Sequence, residues 1–129
     1  MTWHDARQFC MVRGSHLVDV DSMDENNFVA NMVHSAGIKT NFWIGLNDLV
    51  SEMNFRASDG SQPKFVNWNG VEPNEQGDED CAEVYANTKW NDKNCMQKRS
   101  FVCEKSEGTR NNNFIFQIIL FYPQFLKFF

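Results

Sequence analysis

Glu72, Asn74, Glu79, Asn91 and Asp92 lie within one stretch of the 129-residue chain, and all five are hard oxygen donors. Such a set suits calcium, which takes about six to eight oxygens from carboxylates, amide carbonyls and water, whereas softer metals would call for imidazole or thiolate. Pro73 separates two of the donors, and a cis Glu72-Pro73 bond would set a tight turn aiming both flanking side chains at one ion. On spacing alone, a solvated acidic loop whose asparagines serve turns accounts for the same residues equally well. Charge is concentrated here: residues 72–92 hold seven acids against the single base Lys89, a local charge of -6 in a chain whose total is -5. The remainder is nearly neutral, which disfavours a basic nucleic-acid footprint. A chain that is 42% hydrophobic and 14% aromatic is not an acidic, disordered solubiliser either.

Enzyme chemistry finds little support. His4, His16 and His34 fall in or beside helical segments, without an H-E-x-x-H, a G-x-S-x-G or a glycine-rich phosphate loop, and read as surface or packing residues. Glu72 and Glu79 imitate a glycosidase pair, but they serve calcium better than acid–base chemistry, so a non-catalytic protein is expected. Trp43, Trp68 and Trp90 are expected in the core before they serve as sugar platforms.

The elements that would position these donors are of two kinds. Thr2 with Asp5 resembles a helix cap, and Trp3, Ala6 and Cys10 recur at helical spacing, so a first helix is expected over residues 3–13, stopped at Gly14. Ser22 and Glu25 cap a second, whose apolar stripe is Phe28, Val29, Met32 and Val33 and which stops near Gly37. Asp19, Asp21, Asp24 and Glu25 are better explained as acids favoured at a helix N-terminus than as an ion site, since they lack EF-hand spacing. Strand-like runs follow at residues 42–44 and 101–103. Between them, residues 48–94 are loop-rich, with Phe65, Trp68, Val84, Tyr85 and Trp90 as apolar anchors. A loop region of that length in a compact domain is usually functional or disordered, and the apolar anchors favour order. Helices first and strands later predict an α+β fold.

The cysteines are Cys10, Cys81, Cys95 and Cys103, with no C-x-x-C pair. An even number in a small domain predicts two disulfides and an oxidising compartment, and spacing leaves three pairings open. No signal peptide precedes the first helix, a conflict that an N-terminally truncated chain would resolve. Residues 108–129 are compositionally foreign: six of the twelve phenylalanines lie in 114–129. The run is shorter than the roughly 20 residues a spanning helix needs, so membrane anchoring is disfavoured. It reads as an apolar tail that folds onto the domain, or as a non-native or disordered terminus.

The ordered strings Trp43-Ile44-Gly45-Leu46, Glu72-Pro73-Asn74, Glu79-Asp80-Cys81, Trp90-Asn91-Asp92, Cys95 and Phe101-Val102-Cys103-Glu104 resemble the C-type lectin carbohydrate-recognition domain over residues 2–105. The resemblance implies an α+β, C-type lectin-like fold over residues 1–107, with two helices, short antiparallel sheets and a long calcium-binding loop region. The family's first strand would be missing, leaving a sheet edge that the tail could cover. It implies the disulfides Cys10–Cys103 and Cys81–Cys95. It assigns a principal calcium, and the sugar, to Glu72, Asn74, Glu79, Asn91 and Asp92, and an auxiliary calcium to Asp48, Glu52, Glu75, Glu79 and Asp80. In the family, the order Glu-Pro-Asn accompanies mannose-type sugars, including N-acetylglucosamine and fucose, whereas Gln-Pro-Asp would point to galactose. Glu72 and Glu79 are the implied acceptors from two vicinal sugar hydroxyls, and Asn74 and Asn91 the implied donors. The implied setting is secreted or extracellular, the partners are glycans or glycoproteins, and oligomers would supply avidity. The same fold is reused to bind protein partners, which is the alternative function. Ala57 stands where relatives often carry Trp, which predicts looser packing near the calcium loops.

Overall fold

A computed structural model describes residues 1–74, 78–110, 113–122 and 125–128, with side chains described through residue 105. Helix α1 spans Trp3–Met11; Thr2 caps it in an extended conformation, its hydroxyl accepting the Asp5 amide at 3.2 Å. Trp3, Ala6 and Cys10 form its buried face. The chain leaves the helix before the expected end and turns through Gly14 at φ +69°, a backbone conformation that costs glycine nothing. Helix α2 spans Met23–Ser35, with the Ser22 hydroxyl accepting the Glu25 amide at 3.1 Å and the Glu25 carboxylate accepting the Asp21 amide.

The α2 stripe differs from expectation at one position. Val29, Met32 and Val33 are buried, but Phe28 is 59% exposed, and the inward place one turn earlier than Val29 belongs to Asn26. Asn26 is tolerated there because its amide is satisfied: Nδ2 donates to the Thr88 carbonyl at 3.2 Å, and Oδ1 accepts Trp90 Nε1–H at 2.8 Å.

Among the described residues, seven strands form one sheet: β1 (His16–Leu17), β2 (Phe42–Asn47), β3 (Cys81–Val84), β4 (Trp90–Lys93), β5 (Ser100–Arg110), β6 (Asn113–Tyr122) and β7 (Phe125–Phe128). The order is β4-β3-β2-β5-β6-β7, with β1 pairing to β5. The expected short antiparallel sheets are thus one mixed sheet, because β2 meets β5 in parallel through Phe42 opposite Ser100 and Trp43 opposite Phe101. Along β5, residues 101–110 pair antiparallel with β6, so the edge that the sequence leaves open at Phe101 carries a strand.

Two apolar clusters fill the core. One joins α2 to β2, β3 and Trp90; the other joins α1 to Trp43, Phe101 and the four cysteines. Cys10 is bonded to Cys103 and Cys81 to Cys95, closing loops of 93 and 14 residues. On the chain-entropy account these restrict the unfolded chain by about 5 and about 3 kcal/mol respectively. Gly45 is required by close approach: a Cβ there would lie 2.8 Å from Asp19 Oδ1 and 2.9 Å from the Leu17 carbonyl oxygen. Ala57 lines a small pocket with Ile44, Leu46, Pro63, Phe65 and Trp90.

Candidate calcium and glycan site

The hairpin β3–β4 supplies two of the five donors, Asn91 and Asp92. Its register sets Ala82 opposite Asp92 and Glu83 opposite Asn91, and it is anchored inward by the fully buried Trp90. Glu72 and Asn74 come from the turn at residues 72–74, where the Glu72-Pro73 bond is cis, and Glu79 lies just before β3. The Asn74 amide N–H donates to Glu72 Oε2 at 3.1 Å and lies 3.2 Å from Asp92 Oδ1, while Asn74 Nδ2 donates to Glu72 Oε1 at 3.2 Å. Glu72 and Asp92, twenty apart in sequence, thereby share one amide. Glu72, Asn74 and Asp92 form a compact group, with Asp92 fully buried and Asn74 exposed.

Electrostatics describes the same convergence. The Glu72 carboxyl is pushed up to about 7, first by desolvation, then by its contact with Asp92 and the charges of Asp92 and Glu79, against the opposing Asn74 amide. The Tyr85 hydroxyl is also raised, by burial and then by Glu83, Glu72, Glu79 and Asp92. Glu79 therefore stands within electrostatic reach of Glu72. Excess negative potential of this kind is what a divalent cation relieves.

Asn91 is placed differently from its neighbour. Strand alternation turns it away from Asp92, and its Nδ2 donates to Glu83 Oε1 at 3.1 Å. Both residues nevertheless stand on β4, the outermost strand at that end of the sheet.

A second group of acids lies upstream. Asp48, Glu52 and Asp80 each offer a carboxylate oxygen, and these oxygens lie within 4.8 Å of one another. Asp48 is almost fully buried, its Oδ2 accepts the Met53 amide at 2.9 Å, and its own amide donates to the Asp80 carbonyl at 3.0 Å. Asp80 Oδ1 is buried without a hydrogen-bond partner among the described residues. A buried carboxylate oxygen facing two further carboxylates is costly unless a cation joins them, so the donor set fits a hard divalent ion. Glu75, expected in this group, lies outside the described residues.

His16 Nδ1 lies near the Leu17 carbonyl, the Ser58 hydroxyl and Asp19, whose carboxylate accepts both the amide and the hydroxyl of Ser58. Trp43 and Trp90 are core residues, and Trp68 packs against the core half-buried. Sequence reasoning did not single out Glu83, a carboxylate only 1% exposed; its signal is the cross-strand register that sets it opposite Asn91. Among the described residues, no helix is long and apolar enough to cross a membrane.

Comparison with known proteins covers the same span. The family model described as Lectin C-type domain matches residues 1–105. The human protein C-type lectin domain family 17, member A is 39% identical over 104 residues, covering 81% of this chain and 27% of that protein, so the chain spans about a quarter of that relative's length. Among solved structures, the mouse scavenger receptor C-type lectin carbohydrate-recognition domain superposes with a TM-score of 0.74 at 34% identity, covering 81% of this chain and 82% of the other. The cow C-type carbohydrate-recognition domain of CD23, determined in the presence of a GlcNAc2Man3 oligosaccharide, gives 0.72 at 31% identity, with 80% and 78% covered.

Proposed function

Because the chain belongs to the C-type lectin domain family, we propose that it binds glycans through calcium, and mannose-type glycans in particular. The carrying observation is the convergence of Glu72, Asn74 and Asp92 around one shared amide. Family membership supports glycan binding and a non-catalytic role. The order Glu72-Pro73-Asn74 supports the mannose class, and the mannose-containing oligosaccharide present with the CD23 domain is in keeping with it.

Glu72, Asn74, Glu79, Asn91 and Asp92 would hold the principal ion, and Asp48, Glu52, Glu79 and Asp80, with Glu75, would hold the auxiliary one. Calcium held by these residues would supply a Lewis-acidic centre for two vicinal sugar hydroxyls. The protein's own groups complete each hydroxyl. A carboxylate oxygen of Glu72 or Glu79 accepts the hydroxyl proton, and an amide N–H of Asn74 or Asn91 donates to the remaining lone pair. Exchange of water for sugar hydroxyls on an exposed polar surface gains little net free energy, so each site binds weakly and useful avidity requires several sites. The two disulfides and the family support an extracellular setting.

Retention on mannose-agarose in calcium, followed by elution with chelator, tests the reading. Free mannose should compete and free galactose should not. Retention that survives chelation removes the calcium-bridged mechanism, and preferential elution by galactose removes the mannose assignment.

A further inference from the structure

The position of Asn91 poses a geometric problem. An asparagine amide is nearly symmetric in shape but not in chemistry: only its oxygen can ligate calcium, and only its nitrogen can donate to a sugar hydroxyl. A half-turn about the last side-chain bond exchanges the two. A ligand asparagine therefore needs a partner that accepts one orientation and rejects the other.

Glu83 meets that need. It stands directly across the β3–β4 ladder from Asn91, on the same face, and is 1% exposed. Its Oε1 accepts Asn91 Nδ2–H at 3.1 Å, and its Oε2 accepts Arg99 Nε–H at 2.7 Å. A carboxylate is an acceptor only, so a flipped Asn91 would set oxygen against oxygen in a buried place. Arg99 holds the carboxylate in turn. Its Nη1 donates to the Lys98 carbonyl at 2.9 Å, its guanidinium carbon lies 5.9 Å from the centre of the Trp43 ring, and its backbone exchanges two hydrogen bonds with Met1.

We infer that the Glu83–Arg99 ion pair is an orientation lock on Asn91. Glu83, buried opposite it and held by the partly exposed Arg99, fixes the amide so that Oδ1 turns away from Glu83 as a calcium ligand and the second Nδ2–H remains for a sugar hydroxyl. The inference rests on the calcium-dependent reading above and assigns Glu83 and Arg99 as positioning residues that touch neither ion nor sugar. Groups that orient a metal ligand typically change metal affinity by about 10- to 100-fold when removed.

The test compares wild type with Glu83→Gln, which keeps the volume but offers a donor and an acceptor and so accepts either Asn91 orientation. Calcium affinity by titration calorimetry should fall about tenfold in folded Glu83→Gln. A second variant, Glu83→Leu with Arg99→Met, replaces the pair by apolar groups, an exchange that often leaves stability intact. It should show the same calcium loss with a Tm near that of wild type. A purely structural role for the pair predicts the opposite, a lowered Tm with calcium affinity unchanged. The third measurement needs no variant: in calcium-free wild-type protein, the Asn91 side-chain amide protons should exchange more slowly with solvent than those of the exposed Asn54 and Asn87. Wild-type calcium affinity in a folded variant, or Asn91 protons exchanging like the exposed ones, overturns the lock and leaves the lectin reading standing. Wild-type protein that binds neither calcium nor mannose overturns both.

Discussion

Glu72 is a carboxyl that must be ionised to serve a cation, yet its surroundings push it up to about 7. The sign follows: as pH falls through 7, a proton competes with calcium for the same oxygens, so affinity falls with acidity. From pH 7.5 to 5.5, calcium affinity should drop by about an order of magnitude, the cost of ionising a group whose pKa is about 7, measured by calorimetry across that range. Glu104 carries a different consequence. Burial, then the charges of Glu25 and Asp19, also raise it to about 7, against the Asp19 amide and His16. Its folded value lies above the ordinary 4.5, so the stability linked to its protonation is complete below pH 4.5 and lost as pH rises through 7. Glu104→Gln, in chelator, should therefore raise Tm at pH 8 by about 3 °C or more and give no gain at pH 4, read by thermal melts. At this scale Glu72, Asn74 and Asp92 were legible in the sequence because donor type and motif order mark them. Glu83 was not, since one more acid in an acidic segment carries no signal until strand register sets it opposite Asn91.

Two elements meet behind the site, and Asn26 of α2 is where they join. It accepts from Trp90 and donates to Thr88, which sits at φ +70°, a left-handed conformation unusual for a β-branched residue. Asn67 donates to the same Thr88 carbonyl at 2.9 Å, so two side-chain amides hold the turn that leads into β4. Asn26→Leu would leave the buried Trp90 N–H without its acceptor and should cost about 2 kcal/mol in urea unfolding. Gly45→Ala should cost about 1–3 kcal/mol by crowding Asp19 and Leu17 where β2 passes β1. Helix starts were readable from Thr2 and Ser22, because capping is a local interaction. The exposure of Phe28 was not, because a polar residue with satisfied hydrogen bonds had taken an inward place, a choice made by tertiary contacts.

Across the whole molecule, the α+β class was legible in the sequence from the succession of helical and strand-like patterns. The single mixed sheet was not, because the parallel meeting of β2 and β5 joins segments almost sixty residues apart, a pairing that no local pattern records. The -6 of residues 72–92 now has a spatial meaning, since Glu72, Glu79 and Asp92 act on one another while Asp80 faces Asp48 and Glu52. Relief of that repulsion should stabilise the folded state: calcium at about 100 times its Kd should add about 2.7 kcal/mol and raise Tm by roughly 10 °C, an effect that chelator reverses. The aromatic packing beneath the site has an optical consequence as well. The Trp68 and Trp90 rings meet edge-on with centroids 6.1 Å apart, and Trp90 directly precedes Asn91 and Asp92. Indoles at that separation couple their electronic transitions, and small rotations of either ring alter the near-ultraviolet circular dichroism of the pair. Under the proposed calcium reading, that signal should change on addition of calcium and revert with chelator, with no label attached.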